Sequence, residues 1–219
     1  VKPTNAAGED GAGAARVRRA FQAMVAAVRE DRAMMLHYDE KHAKPASDGR
    51  AREGDAGLAR DLVTRIGFQM LVACRAMRFF VDARVPLAPQ IMSRMIRHLY
   101  GSDIHWDAEI EPGVVIVHGM GLAVSSAARV QRGVILFQHV TLGMSFDPET
   151  RTTGAPLVEQ NVHVGAGSTL VGPITIGARS KVTANCFVRA SVPPDSLVEA
   201  AAPAVTLRRA RSLEDKTVA

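Results

Sequence analysis

The sequence predicts a mainly β protein, a parallel β-helix preceded by an α-helical N-terminal domain. Three observations carry the prediction. From Ile104 to Val192 an aliphatic residue recurs every sixth position, as Ile104, Ile110, Ile116, Leu122, Ala128, Val134 and Val140, then Val158, Val164, Leu170, Ile176, Val182 and Val188. The fifth position of each unit is mostly small or apolar, as in Val114, Val162, Ser168, Ile174, Ser180 and Cys186. The first hundred residues lack this repeat and show helical apolar spacing instead. A period of six matches neither a helix nor an alternating strand. It fits a short strand plus a corner, three of which close one triangular coil of about eighteen residues. Stacked coils then bury one another's apolar edges.

The elements follow in order. Residues 1–13 (VKPTNAAGEDGAG) are Gly- and Ala-rich and are expected to be disordered. Residues 14–100 form the helical domain. Within it Val17, Phe21, Met24, Val25 and Val28 place a helix from Ala14 to about His42. Lys44–Gly57 carries Pro, Ser, Gly and charge and reads as a loop. Leu62, Ile66, Leu71, Val72 and Phe79 predict one helix from Leu58 to about Asp82, and Arg65, Arg75 and Arg78 within it argue against a membrane span. A third helix, Gln90–Tyr100, opens after Pro89. Residues 101–206 form the β-helix. Its phase breaks once, and Phe146–Pro156 is expected to leave a corner as a loop. Residues 207–219 are a charged tail without an apolar face.

Composition narrows the class. Of 219 residues, 47% are hydrophobic and 22% charged, which suits a globular protein with a sizeable core. The net charge of +5 sits in the first hundred residues, where 17 Lys and Arg face 11 acids. Those charges interleave and accompany no recognition motif, so solvated helix faces are expected rather than nucleic-acid binding. Cys74 and Cys186 are the only cysteines, and Cys186 falls at an inward position. Two cysteines and no signal-peptide pattern point to a cytoplasmic protein without membrane contact.

Four histidines are candidates for chemistry. His105, His118, His139 and His163 lie in the repeat. An eighteen-residue coil stacks His118 over residue 100 and under Leu136, so no three histidines converge and no metal site is expected. His118 lies in Val117-His118-Gly119-Met120-Gly121, where two glycines permit close approach of a ligand. Asp103 lies within about a coil of it. A histidine oriented by a carboxylate is a general-base arrangement. Cys186, inward and without an adjacent base, is a poor nucleophile.

These segments resemble the hexapeptide-repeat acyltransferases, and among them the serine acetyltransferases. The resemblance rests on Asp103-Ile104-His105, Val117–Leu122, Gln138-His139-Val140-Thr141-Leu142-Gly143, Val164–Ser168, Val192-Pro193-Pro194-Asp195 and Ala201–Ala204, with Gly67-Phe68-Gln69 and Arg75 upstream. It implies a left-handed parallel β-helix that forms homotrimers, with a helical domain that can pair trimers. It implies acetyl-CoA as co-substrate in the groove between neighbouring β-helices, with no metal. His118 matches the catalytic base and Asp103 its partner. Thr141, Gly143, Ala166, Gly167 and Ala184 match the CoA groove. Asp31 and Val117 fall at acceptor-binding positions.

The chain departs from the family at the acceptor. Val117 replaces an Asp, Ser125-Ser126-Ala127 replaces Gly-Glu-Thr, and Gly154-Ala155-Pro156 replaces an Arg-His-Pro triplet. The base and donor groove are kept while most of the clamp on serine is lost. The expected function is transfer of acetyl from acetyl-CoA to the hydroxyl of a small-molecule acceptor, serine-like or different. The alternatives are transfer to an amine, a non-catalytic trimeric homologue, and a zinc hydratase or hydrolase.

Overall fold

The computed structural model describes residues 6–42, 57–148 and 151–202. Among the described residues four helices, α1 (Ala6–His42), α2 (Gly57–Thr64), α3 (Ile66–Asp82) and α4 (Ala88–Tyr100), precede sixteen short strands. Helix α1 begins at Ala6, so residues 6–13 are helical rather than disordered. Their glycines weaken a helix, but extending an existing helix costs far less than nucleating one. Residues 1–5, most of the expected loop at 44–57 and the tail at 207–219 lie outside the described residues; Gly57 itself opens α2.

The single helix expected over 58–82 is two. Arg65 is extended, at φ −118° and ψ 96°, and separates α2 from α3. The Gln69 carboxamide donates to the Leu62 and Val63 carbonyls, at 2.6 and 3.1 Å, and so serves the end of α2. Its oxygen accepts from the Tyr100 hydroxyl at the end of α4. Helix α4 opens at Ala88, two residues earlier than expected, with Pro89 in its first turn, where a missing N–H costs nothing.

The coils follow one another as predicted. The first holds β1 (Asp103–Ile104), β2 (Glu109–Ile110) and β3 (Val115–Ile116), and the second β4 (Ala123–Val124), β5 (Arg129–Val130) and β6 (Ile135–Leu136). The third begins at β7 (Thr141–Gly143) and leaves the prism as a hairpin of β8 (Ser145–Asp147) and β9 (Thr152–Gly154). It returns through β10 (Leu157–Val158) and β11 (His163–Val164). Then come β12 (Thr169–Val171), β13 (Thr175–Ile176) and β14 (Lys181–Val182), and last β15 (Phe187–Val188) and β16 (Leu197–Val198). Three parallel faces result: β1-β4-β7-β12-β15, β2-β5-β10-β13 and β3-β6-β11-β14-β16. The excursion at 146–156 is thus an antiparallel hairpin, paired Ser145 to Gly154 and Phe146 to Thr153.

Twelve of the thirteen repeat aliphatics are buried, at 7% exposure or less; Ile110 is half-buried. Removing such side chains from water gives roughly 1.5–3 kcal/mol each. Ser168 and Ser180 are buried too, and each hydroxyl donates to a backbone carbonyl of the next coil, of Thr183 at 2.8 Å and Pro193 at 2.9 Å. Cys186 is buried and free, as its inward position predicts.

One register differs from expectation. Asp103 pairs with Ala123, and Ile116 with Leu136, twenty residues on, whereas Ala123 pairs with Thr141, eighteen on. Two extra residues therefore lie between Ile116 and Val124. Leu136 sits above Ile116, not above His118. The apolar pattern hides the insertion because both candidate phases are aliphatic. Leu122 and Val124, Ala128 and Val130, Val134 and Leu136, and Val140 and Leu142 are all buried.

Helix α3 closes the N-terminal opening of the prism. Met70, Leu71, Cys74 and Met77 share one core with Ile104, Val114, Ile116 and Leu122. The approach is so close that a Cβ on Gly67 would lie 1.8 Å from the Ile116 carbonyl oxygen. Beside it, Arg75 and Asp31 are buried and joined at 2.8 and 3.0 Å. Arg75 also donates to the carbonyls of Ile110 and Glu111, and Asp31 accepts the Gly113 N–H at 2.8 Å. Arg32 to Asp61, at 2.7 Å, ties α1 to α2.

Candidate active site

The corner that joins the third face to the first recurs in every coil, as residues 117–122, 137–140, 165–168 and 183–186. His118 belongs to the lowest of these, Gln138 and His139 to the next, Ala166 and Gly167 to the third and Ala184 to the fourth. The backbone joins them vertically. The His139 N–H donates to the Met120 carbonyl at 2.8 Å, Gly167 to Gln138 at 3.1 Å, and Asn185 to Ala166 at 2.8 Å. Thr141 and Gly143 lie on the adjoining first face, on β7. The proposed base and all five proposed groove residues thus share one edge of the prism.

The lowest corner carries the two-residue insertion. His118, Gly119 and Gly121 have φ of 66°, 75° and 68°, so three left-handed residues occur within four. A left-handed residue is ordinary at the corners of this edge, since His139, Gly167 and Asn185 also adopt it. The extra turn is particular to this corner. Two neighbours fix it. A Cβ on Gly119 would lie 2.4 Å from Met70 Sδ, and one on Gly121 would lie 2.2 Å from His139 Nδ1, so both positions exclude a side chain. From below, the buried Ser102 hydroxyl donates to the Gly119 carbonyl at 2.7 Å. His118 remains exposed at the tip, open to a ligand.

The structure does not join Asp103 to His118. Arg97 Nη2 of α4 donates to Asp103 Oδ1 at 2.5 Å, and no hydrogen bond or ion pair among the described residues links Asp103 with the imidazole. Asp103 is nonetheless beside the corner: its N–H donates to the Leu122 carbonyl at 2.8 Å. Asp31 is placed elsewhere. It is fully buried at the foot of the prism, and both oxygens are bonded, to Arg75 and Gly113. Val117 is half-buried and opens the corner, donating its N–H to the Leu136 carbonyl.

Sequence reading missed Ser102, Arg97 and Gln138. The last has a buried carboxamide oxygen with no hydrogen-bond partner among the described residues. Ser102 adjoins Asp103 in the chain, and Arg97 lies in the last turn of α4. A cavity of about 310 Å³ lies elsewhere, between α1, α3 and the first coil, lined by Ala27, Cys74, Met77, Trp106 and Ile110 among others, and holds none of the expected site residues. Burial pushes the Cys74 thiol up to about 12, so it stays protonated. His163 stacks on Phe137 at 5.0 Å, and burial, then Lys181 and His42, hold its imidazole below the ordinary value. Among the described residues no three His, Cys, Asp or Glu side chains converge as metal ligands, and no helix is long and apolar enough to cross a membrane.

Comparison with known proteins agrees with the fold. No protein-family model matches the chain. A serine acetyltransferase of Synechococcus elongatus is 35% identical over 132 residues, which are 60% of this chain and 53% of that protein. The chain thus spans about half the length of the curated relatives it matches. Isoform 3 of serine acetyltransferase from Entamoeba histolytica, solved in complex with cysteine, superposes with a TM-score of 0.71 at 21% identity. The match covers 89% of this chain and 64% of that one. A serine acetyltransferase in complex with CoA gives 0.67 at 23% identity, over 83% and 70% of the two chains. The shared fold is a left-handed parallel β-helix behind an α-helical N-terminal region. In sequence over 60% of its length and in fold over most of it, the chain resembles the serine acetyltransferases of the hexapeptide-repeat acyltransferase superfamily.

Proposed function

We propose that the protein is an acyl-CoA-dependent O-acyltransferase whose base is His118. One observation carries the reading. An exposed imidazole stands on the same edge as Thr141, Gly143, Ala166, Gly167 and Ala184, the positions that resemble a CoA groove. A pantetheine arm laid along that edge brings its thioester to His118. The relatives named above, one of them solved with CoA, support the same donor. A second copy of the chain along the edge would close the groove, as the resemblance to a trimeric family implies.

The chemistry needs one base and one donor. A nitrogen of His118 takes the acceptor's hydroxyl proton as its oxygen attacks the thioester carbonyl. The tetrahedral intermediate collapses with cleavage of the C–S bond. The CoA thiolate leaves and regains the proton from the imidazolium. Transfer does not pass through a thioester on Cys74 or Cys186, because both thiols are buried.

The Arg97–Asp103 pair is the observation that favours a second reading, a non-catalytic homologue, since it leaves His118 without its carboxylate. The test is CoA release from acetyl-CoA with a panel of hydroxy and amino compounds, L-serine included, run on the wild type and on Ala166→Leu. Release with a hydroxyl acceptor, and a KM for acetyl-CoA at least about tenfold higher in the variant, is expected. Absence of release with every compound would reject the enzyme and leave the homologue. Release with amines alone would reassign the acceptor.

A further inference from the structure

The exposed ion pair beneath the candidate base has no counterpart in the reaction just described. Asp103 is 54% exposed and Arg97 57% exposed, and their contact uses a single guanidinium nitrogen and a single carboxylate oxygen. The pair is anchored at the base of the reactive corner. The Asp103 N–H is bonded to Leu122, and the neighbouring Ser102 hydroxyl to Gly119, the residue that follows His118. The guanidinium is thereby tied to the strand that borders the corner, on a helix that packs against β1, where the Ser93 hydroxyl holds the Ile104 carbonyl at 2.8 Å. Arg94 and His98 are exposed on the same helix, so its last two turns carry further basic groups.

We propose that Arg97 is a specificity-determining residue that reads an anionic group on the acceptor, and that its pairing with Asp103 is a displaceable latch. The inference rests on the acyl-transfer reading above and names the acceptor class: a hydroxyl compound that also carries a carboxylate or phosphate. In the resting protein Arg97 withholds Asp103 from His118. An acceptor anion takes the guanidinium, which offers a planar fork suited to two oxygens where Asp103 uses one. Asp103 is then released to orient the imidazole. The exchange is cheap because a solvent-exposed pair holds weakly. The arrangement also accounts for a loss. Gly154-Ala155-Pro156, at the base of the β8–β9 hairpin, offers no cation to the acceptor, whereas Arg97 supplies one from a different element.

The experiment is CoA release with matched acceptors: a hydroxy acid, its primary amide and a phosphorylated alcohol of similar length. Wild type, Arg97→Ala and Arg97→Lys are compared. The side chain is exposed, so the variants are expected to fold, and circular dichroism checks that. The wild type should favour at least one anion over the amide about tenfold or more in kcat/KM. Arg97→Ala should abolish that preference through KM and raise kcat on the amide several-fold, since Asp103 is no longer withheld. Arg97→Lys should restore part of the preference. Which anion is favoured separates carboxylate from phosphate. A wild type that turns over acid, phosphate and amide alike, or an Arg97→Ala protein that keeps the preference, would overturn the proposal while leaving acyl transfer intact. No release from any acceptor would overturn both.

Discussion

Two aspartate–arginine pairs, each set beside a glycine, lie within the first coil and the helices against it, and they behave as opposites. Asp31 and Arg75 are buried at 0% and 6% exposure, and both carboxylate oxygens and all three guanidinium nitrogens are hydrogen-bonded, with Gly113, Ile110 and Glu111 completing the set. Asp103 and Arg97 share one contact in solvent, next in the chain to Ser102, whose hydroxyl holds the Gly119 carbonyl. The same two side chains therefore serve as a rivet in one place and as an exchangeable contact in the other. Burial and completeness of hydrogen bonding decide which. A buried charge cannot lose its partner without a penalty of several kcal/mol, while an exposed one is solvated by water when its partner leaves.

The contrast can be broken in order of size. Arg75→Met should cost about 3–5 kcal/mol, because Asp31 is left charged and buried; a denaturant midpoint within error of the wild type would contradict the rivet. Gly67→Ala should cost about 3 kcal/mol or more, since its Cβ meets the Ile116 carbonyl oxygen, a backbone atom that cannot step aside. Arg97→Ala, by comparison, should change stability by no more than about 1 kcal/mol. A loss as large as that of Arg75→Met would remove the distinction between the two pairs. The smallest effect belongs to His163. Its folded imidazole is held below the ordinary 6.5, so its neutral form contributes stability above that pH which is lost as pH falls through the folded value. Thermal melts from pH 7.5 to 5 should show a decline that His163→Gln reduces; an unchanged decline would assign it elsewhere.

The fold was legible because thirteen aliphatic residues hold a six-residue spacing that only a coil with three corners satisfies. The edge that carries the site was legible as segments but not as an edge. Placing Gly167 above His139 and His139 above Gly121 requires the register, and the register shifts by two residues where both phases are aliphatic. His118, Thr141, Gly143, Ala166 and Ala184 are proposed from their resemblance to a family pattern. The buried setting of Asp31 was not legible for a physical reason. An aspartate on a helix reads the same whether it meets an acceptor or a buried arginine 44 residues away. Arg97 escaped notice because a basic residue in the last turn of a helix already has a sufficient explanation in the helix dipole. Only the Asp103 contact shows a further use.

The most direct test of the central claim pairs two numbers for His118→Ala: kcat for CoA release and the calorimetric Kd for CoA. If His118 is the base on an edge that also binds the donor, kcat falls about 10²- to 10⁴-fold while Kd stays within about threefold of the wild type. An undiminished kcat, or a Kd that weakens as much as kcat falls, would contradict it.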